Sequence, residues 1–129
     1  MSTDRQSHVV DGAPPAIGPY VHAVAAGGLL FCSGQIPLDP ATGELVGRTA
    51  AEQAEQCLKN LQVVVEGAGA SLDRAVRCTV LLTDMAAFAE VNEVYGRFFP
   101  NDPPARIAYA VAGLPKGALV EIDAIVAQD

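Results

Sequence analysis

Basic residues are scarce in this 129-residue sequence. Eight lysines and arginines stand against 15 aspartates and glutamates, which gives a formal net charge of −7. No basic run could neutralise a series of phosphates, so the composition argues against general nucleic-acid binding and against binding to anionic membranes. In so acidic a chain, an isolated positive charge is expected to serve a particular anion.

Long apolar runs are missing as well, although half of the residues are hydrophobic. The longest candidate, AVAAGGLLFC, is interrupted by two glycines and is shorter than the ~20 residues of a membrane span. The polar start MSTDRQSH lacks the apolar core of a secretory signal. We expect a soluble, cytoplasmic protein with one domain, residues 1–129. So much hydrophobic surface in a small domain also favours a subunit interface.

Cysteine and histidine are too few and too scattered for a metal site. Cys32, Cys57 and Cys78 are odd in number and form no CxxC pair, which predicts reduced thiols. Cys57 and Cys78 are expected in the core, and no histidine follows Cys32 closely enough to activate it. With only His8 and His22 besides, no metal is predicted.

Local signals in the first half of the chain predict a hairpin and a helix. VHAVAA and LLFCSG are two apolar segments joined by Gly27 and Gly28, which is a strong hairpin signal. Thr49 and Glu52 form a T-x-x-E capping box, and apolar residues follow at helical spacing. Gly67 and the glycine at 69 supply the helix end.

The second half predicts a strand, a helix and two further strands. AVRCTVLLT is typical of a buried strand, and Thr83 or Asp84 begins an amphipathic helix that ends by Pro100. The segments IAYAVA and ALVEIDAIV then read as strands. The predicted class is therefore α+β, with two helices packed on one face of a mixed sheet.

Both faces of the last strand are largely apolar. One face carries Val120, Ile122, Ala124 and Val126, and the other carries Leu119, Glu121, Asp123 and Ile125. Helices that cover one side of the sheet leave the second face to be covered by another subunit. We therefore predict an obligate oligomer.

Arg106 is an isolated charge at the start of an apolar strand. A solvated strand end and a structural ion pair are the plainer explanations for such a residue. Here the preceding PPA segment stiffens the backbone, and the alternating neighbours Ala108 and Ala110 leave room beside the side chain. The planar guanidinium is suited to binding a carboxylate with two hydrogen bonds.

Glu121 is the second isolated charge, on what we expect to be the neighbouring strand. If GLPKG turns symmetrically about Pro115, Arg106 faces Ala124, and Glu121 lies about 10 Å further along the strand. This offset suits a small acid and one water between the two side chains better than it suits a direct ion pair. Tyr109, on the face opposite Arg106, is expected in the core.

Five motifs resemble one known family. The segments are IGPYVHAV, FCSGQIP, FAEVNEVY, PPAR and LPKGALVEIDAI, in this order from residue 17 to residue 125. Together they resemble the reactive intermediate deaminase family, RidA, also called YjgF-like. The resemblance implies a chorismate-mutase-like fold and a homotrimer with three clefts between subunits. It also implies cofactor-independent hydrolysis of 2-iminobutanoate and 2-iminopropanoate, which escape from PLP-dependent dehydratases, to 2-oxo acids and ammonia.

The resemblance also implies roles for individual residues. By their motif positions, Arg106 is the carboxylate-binding residue and Glu121 the catalytic acid or base. The further ligand-side positions are Tyr20, Ser33, Gly34, Asn92 and the backbone near Ala108. The chain departs from the family at Ile107-Ala108, where Ser-Cys is frequent. Alanine at 108 keeps a backbone contact to the ligand but removes any effect of a thiol on substrate choice.

Two other functions compete with imine hydrolysis. A non-catalytic trimer that senses small 2-oxo or other carboxylic acids would need Arg106 but not Glu121. A ribonuclease, an activity reported for some relatives, gains little support from a net charge of −7 without a basic stripe or a histidine pair.

Overall fold

Six strands form one mixed sheet, and two α-helices cover one of its faces. The computed structural model describes residues 4–128. The strands are β1 (Gln6–His8), β2 (Ala23–Ala26), β3 (Leu29–Gln35), β4 (Ala75–Leu82), β5 (Ala105–Ala110) and β6 (Val120–Ala127), and the helices are α1 (Ala50–Gly67) and α2 (Phe88–Phe98). The predicted α+β class and element order are confirmed. The short polar strand β1 was not predicted.

The predicted hairpin and helix starts are confirmed by their geometry. Gly27 and Gly28 both have positive φ, as a tight turn between β2 and β3 requires. In the capping box of α1, the Glu52 N–H donates to Thr49 Oγ1 at 3.1 Å, and the Thr49 N–H donates to Glu52 Oε1 at 3.3 Å. Asp84, rather than Thr83, caps the short 3₁₀ turn that leads into α2.

The order of the strands differs from the expectation. The sheet runs β1-β2-β3-β6-β4-β5, so β4 lies between β5 and β6, and the assumed β5–β6 hairpin is wrong. The reason is that α2 carries the chain from β4 to a parallel neighbour, β5, in a crossover connection. β6, which is largely apolar on both faces, then lies in the centre of the sheet, antiparallel to β3 and β4.

The two faces of the sheet have different surroundings. On the helix face, Val120, Ile122, Ala124 and Val126 of β6 are buried against α1. The opposite face, called the open face below, is not covered by a helix of residues 4–128 and exposes Phe31, Ile107 and Tyr109. Tyr109 is 50% exposed, so the expectation that it is a core residue is wrong for the single chain.

The segment that precedes β2 is held by a buried histidine. His22 Nδ1 accepts a hydrogen bond from the Val10 N–H at 2.8 Å, so Nε2 carries the ring hydrogen and donates to the Pro14 carbonyl at 2.7 Å. These two bonds fix the chain on both sides of Tyr20. None of the helices in residues 4–128 is long and apolar enough to cross a membrane.

A candidate active site in two halves

Arg106 is held by three side chains of α2. It lies on the helix face of β5, because it pairs with the buried Cys78 of β4. Asn92 Oδ1 accepts a hydrogen bond from Arg106 Nη1 at 2.7 Å. The guanidinium carbon lies 5.4 Å from the centre of the Phe88 ring and 4.9 Å from that of Tyr95, which is within cation–π range.

The guanidinium of Arg106 remains available for an anion. No carboxylate within residues 4–128 lies close enough to form an ion pair with it, and the residue is exposed. Aromatic stacking and the single bond to Asn92 leave most of the five N–H donors free. This arrangement, called the arginine half below, presents an oriented cation without a counter-ion.

Tyr95 lies beneath the guanidinium of Arg106, with its ring against the cation. Its hydroxyl is buried without a hydrogen-bond acceptor or donor of good geometry among the described residues. Burial, followed by the nearby Cys78 thiol, raises the pKa of the Tyr95 hydroxyl, so the ring stays neutral under Arg106. A neutral Tyr95 ring attracts the guanidinium by cation–π stacking without neutralising its charge.

Glu121 lies in a second set of residues on the open face, called the acidic half below. Its carboxyl group borders a hollow of about 300 Å³ lined by Ile17, Tyr20, Ser33, Gly34 and Pro115. Gly34 lies directly against it: a Cβ at this position would overlap Glu121 Oε2. A residue without a side chain is therefore needed at position 34 for this placement of the carboxyl group.

The hydrogen bonds of Tyr20 and Ser33 fix the wall of the acidic half. The Tyr20 hydroxyl accepts from the Ile17 N–H at 3.2 Å, which leaves its own hydrogen free to donate. Ser33 Oγ donates to the Val21 carbonyl at 2.7 Å, so its lone pairs can accept from a ligand. The Tyr20 ring is 44% exposed and closes one side of the hollow.

The electrostatic surroundings of Glu121 favour its protonated form. Burial raises the pKa of the Glu121 carboxyl above its ordinary value, and the charge of Asp123 raises it further. A carboxyl group in such surroundings is a stronger proton acceptor than an exposed one. This property suits general acid–base chemistry.

The structure divides the seven predicted site residues between the two halves. Arg106, Asn92 and Ala108 lie together on the helix side of the sheet, whereas Glu121, Tyr20, Ser33 and Gly34 lie together at the open face. Arg106 is level with Cys78 and, one strand further, with Ala124. The predicted offset along the strands is therefore present, but the expectation that a small acid sits between Arg106 and Glu121 of one chain is wrong.

Two groups of site residues were missed by reasoning from the sequence. Phe88 and Tyr95 were predicted only as part of an amphipathic helix, although their i, i+4, i+7 spacing with Asn92 places all three on one helix face. Ile17 and Pro115 gave no signal of their own, because a loop residue reaches a site through tertiary structure alone.

The cysteines are not candidates for a nucleophile. All three are buried and free. Burial raises the pKa of the Cys32 thiol to about 12 and the pKa of the Cys57 thiol well above its ordinary value. Both are expected to stay protonated. The predicted core positions of Cys57 and Cys78 are confirmed by their complete burial. Within residues 4–128, no three His, Cys, Asp or Glu side chains meet as a metal site would require.

Comparisons with known proteins agree with the motifs. A family model described as endoribonuclease L-PSP matches residues 10–128. A RutC family protein of Sinorhizobium fredii is 56% identical over 114 residues, covering 88% of this chain and 90% of the relative. A Homo sapiens protein named 2-iminobutanoate/2-iminopropanoate deaminase is 47% identical over 116 residues, covering 90% and 85%.

The fold agrees with a solved structure as well. The crystal structure of E. coli TdcF with bound serine superposes with a TM-score of 0.88 and 39% identity, covering 95% of this chain and 99% of that one. Sequence and structure thus point to the same relatives. The resemblance drawn from the motifs is confirmed, and the chain is a member of the RidA (YjgF-like) family.

Proposed function

We propose that this protein hydrolyses small 2-imino acids, typified by 2-iminobutanoate and 2-iminopropanoate, to 2-oxo acids and ammonia without a cofactor. The observation that carries the proposal is the pairing of a free, oriented guanidinium with a carboxyl group of raised pKa beside a small hollow. These are the two groups that such a reaction needs. One binds the substrate carboxylate, and the other moves a proton.

The reaction would take place between subunits. The arginine half lies by the edge strand β5, and the acidic half lies on the open face around β6. If β5 of one protomer packs against the open face of the next, the apolar residues Phe31, Ile107 and Tyr109 are covered and the two halves meet. Such a contact joins different surfaces head to tail, and a contact of this kind forms a ring when the rotation between protomers closes. The proposed ring is a chorismate-mutase-like homotrimer with three clefts.

Arg106 would bind and orient the substrate. Its two-pronged hydrogen bonds to the carboxylate place the adjacent imine carbon at a fixed distance from the protein. Phe88 and Tyr95 keep the guanidinium plane in position, and Asn92 fixes its rotation. The small Ala108 next to it leaves space for the ligand.

Glu121 would activate the water. Its carboxylate accepts a proton as water oxygen bonds to the imine carbon and the C=N bond becomes a C–N bond. Glu121 passes this proton to the nitrogen, which gives an amino-alcohol. The carboxylate then accepts the hydroxyl proton as the carbonyl forms and transfers it to the nitrogen, so the C–N bond breaks and ammonia leaves. Tyr20 and Ser33 offer a donor and an acceptor at the same wall. One water is consumed, and no electrons leave the substrate.

Relatives support this substrate class. The human relative is named as a deaminase of the same two imines. The E. coli TdcF structure holds serine, an amino acid with a carboxylate and an adjacent nitrogen. A 2-imino acid presents the same two groups to Arg106 and Glu121.

The test is a coupled assay. A dehydratase generates 2-iminobutanoate from threonine, semicarbazide traps the imine, and we measure whether the purified protein accelerates release of 2-oxobutanoate. We expect acceleration by the wild type and by the control Arg74→Ala, and none by Arg106→Ala. Glu121→Gln is expected to bind 2-oxobutanoate without catalysis.

Two results would replace the proposal. Carboxylate binding without any acceleration by the wild type would favour the non-catalytic sensor, for which the arginine half alone suffices. RNA cleavage that survives purification and disappears in Arg106→Ala would favour the ribonuclease.

A further inference from the structure

Glu121 has a second carboxylate beside it on the same strand face. Asp123 lies two residues along β6, about 7 Å away by strand geometry. The two acidic side chains share a small hollow of about 80 Å³, whose other walls are Gly34, Thr79 and Leu81. This hollow adjoins the larger one, and Glu121 and Gly34 border both.

Asp123 is fixed in place by the neighbouring strand. Its Oδ1 accepts a hydrogen bond from the Thr79 N–H at 2.9 Å, across the β4–β6 pair. The side chain is half-buried, and the bond sets the orientation of the carboxyl group relative to the sheet. The hydrogen bond and the sheet therefore fix where the Asp123 carboxyl group lies relative to the Glu121 position on β6.

We infer that Asp123 is a positioning residue for the proposed reaction and acts on the substrate only through the carboxyl group of Glu121. The inference rests on the proposed function. Two negative charges on adjacent same-face positions repel, so a fixed Asp123 makes Glu121 hold a proton more strongly. Glu121 is then a stronger general base when it takes a proton from water.

Few other titratable groups face Glu121. On the open face, β4 contributes the neutral Thr79 and Leu81, and the loop before β2 contributes the Tyr20 hydroxyl. Through the sheet, the protonated Cys57 thiol of α1 lies near Glu121. In the proposed assembly, Arg106 of the neighbouring protomer is added, and it acts in the opposite sense to Asp123. The direction of the Glu121 pKa in the single chain, raised by burial and then by Asp123, agrees with this role.

Asp123→Asn tests the inference because it removes the charge and little else. The asparagine Oδ1 can still accept from the Thr79 N–H, so the fold is expected to persist; Asp123→Ser is a second variant should it not. The control, Asp73→Asn, changes the net charge by the same amount at a distant position. Asp73 lies just before β4, which begins opposite Val126, and Val126 is five residues along β6 from Glu121.

Two readouts are measured on the intact assembly. The first is the titration of the Glu121 carboxyl carbon by ¹³C NMR, assigned by its loss in Glu121→Gln. The second is the pH profile of kcat/KM in the imine assay. In Asp123→Asn we expect the Glu121 midpoint to fall, the acidic limb of the profile to move to lower pH, and the plateau to drop about two- to tenfold as the base weakens. Asp73→Asn is expected to leave both readouts unchanged.

Any other result contradicts the inference, its role in catalysis or the proposed function. An unchanged Glu121 midpoint in Asp123→Asn overturns the inference whether or not the protein is active. A lower midpoint with an unchanged pH profile overturns the role in catalysis. A wild type that hydrolyses no imine overturns the proposed function and the role of Asp123 within it, and this failure is distinguished by the NMR titration, which does not depend on activity.

Discussion

The side chains of Arg106 and Glu121 leave opposite faces of one sheet, with β4 between their strands. Their offset is three residues, about 10 Å along the strands, and two strand spacings, again about 10 Å, across them. A change of rotamer cannot close this distance, because the sheet itself stands between the two groups. A reaction that uses both residues must take them from different protomers.

Mixing two inactive variants tests the shared site. Arg106→Ala subunits supply an intact acidic half, and Glu121→Gln subunits supply an intact arginine half. When equal amounts are dissociated and reassembled together, about one quarter of the clefts should combine both intact halves and recover imine hydrolysis. The same proteins reassembled separately serve as controls. A mixture as inactive as its components would place the reaction elsewhere.

Gly34→Ala should damage activity more than stability. The added Cβ would overlap Glu121 Oε2, the mobile end of a side chain, so the carboxyl group moves while the fold remains. Displacement of a catalytic group by about 1 Å can cost up to roughly a hundredfold in rate, and we expect at least a tenfold loss in kcat/KM. Gly113→Ala is the control, since a Cβ there meets nothing within 4 Å. Full activity in Gly34→Ala would contradict the assigned position of Glu121.

Asn92→Asp should weaken carboxylate binding more than Asn92→Ala. A carboxylate 2.7 Å from Arg106 Nη1 would pair with the guanidinium and compete with the substrate. We expect the Kd of 2-oxobutanoate, measured by calorimetry, to rise about tenfold further in Asn92→Asp than in Asn92→Ala. Equal affinities in the two variants would contradict the contact between the side chain at position 92 and Arg106.

Two helix glycines should respond oppositely to alanine. Gly96 of α2 has open space at its Cβ position, so Gly96→Ala should raise the free energy of unfolding by about 0.5 to 1 kcal/mol. Gly67 of α1 lies against Val10, with which a Cβ would overlap, and overpacking of this kind costs about 1 to 3 kcal/mol.

The free energies of unfolding of Gly96→Ala and Gly67→Ala are measured by thermal or urea unfolding at one protein concentration. Val10→Ala should remove the penalty of Gly67→Ala in the double variant, because the methyl group in contact is then absent. Destabilisation of Gly67→Ala that persists beside Val10→Ala would show that its cause is the backbone, not this contact.

Alkylation should leave the native cysteines almost untouched. The raised pKa values of Cys32, Cys57 and Cys78 mean that, in the folded protein, the reactive thiolate forms only at strongly alkaline pH. Iodoacetamide at about pH 8 should therefore modify the three residues in urea but not in buffer. Mass spectrometry of both samples measures this, and rapid native labelling of Cys32 would contradict its burial.

Local features of the sequence predicted the local structure well. The Gly27-Gly28 turn and the Thr49–Glu52 capping box each depend on residues within a few positions of one another, and both are present. Asp84 needed only its own side chain to cap the turn before α2. Such elements are specified by the chain around them.

The neighbours of β5 and β6 could not be read in the same way. The choice between a hairpin and a crossover depends on which strand β5 joins, and IAYAVA is compatible with either. Its alternation was also ambiguous: small alanines and larger Ile107 and Tyr109 could each have faced inward. In the structure, Arg106 and Ala108 share the helix face with their buried partners on β4, whereas Ile107 and Tyr109 turn to the open face.

A rigid helix, rather than a loop, holds the guanidinium of Arg106 between two rings and an amide. The cation is therefore arranged before any ligand arrives, and little conformational entropy remains to be lost on binding. A substrate that decomposes quickly in water is more readily bound before it decomposes if the binding site needs no rearrangement.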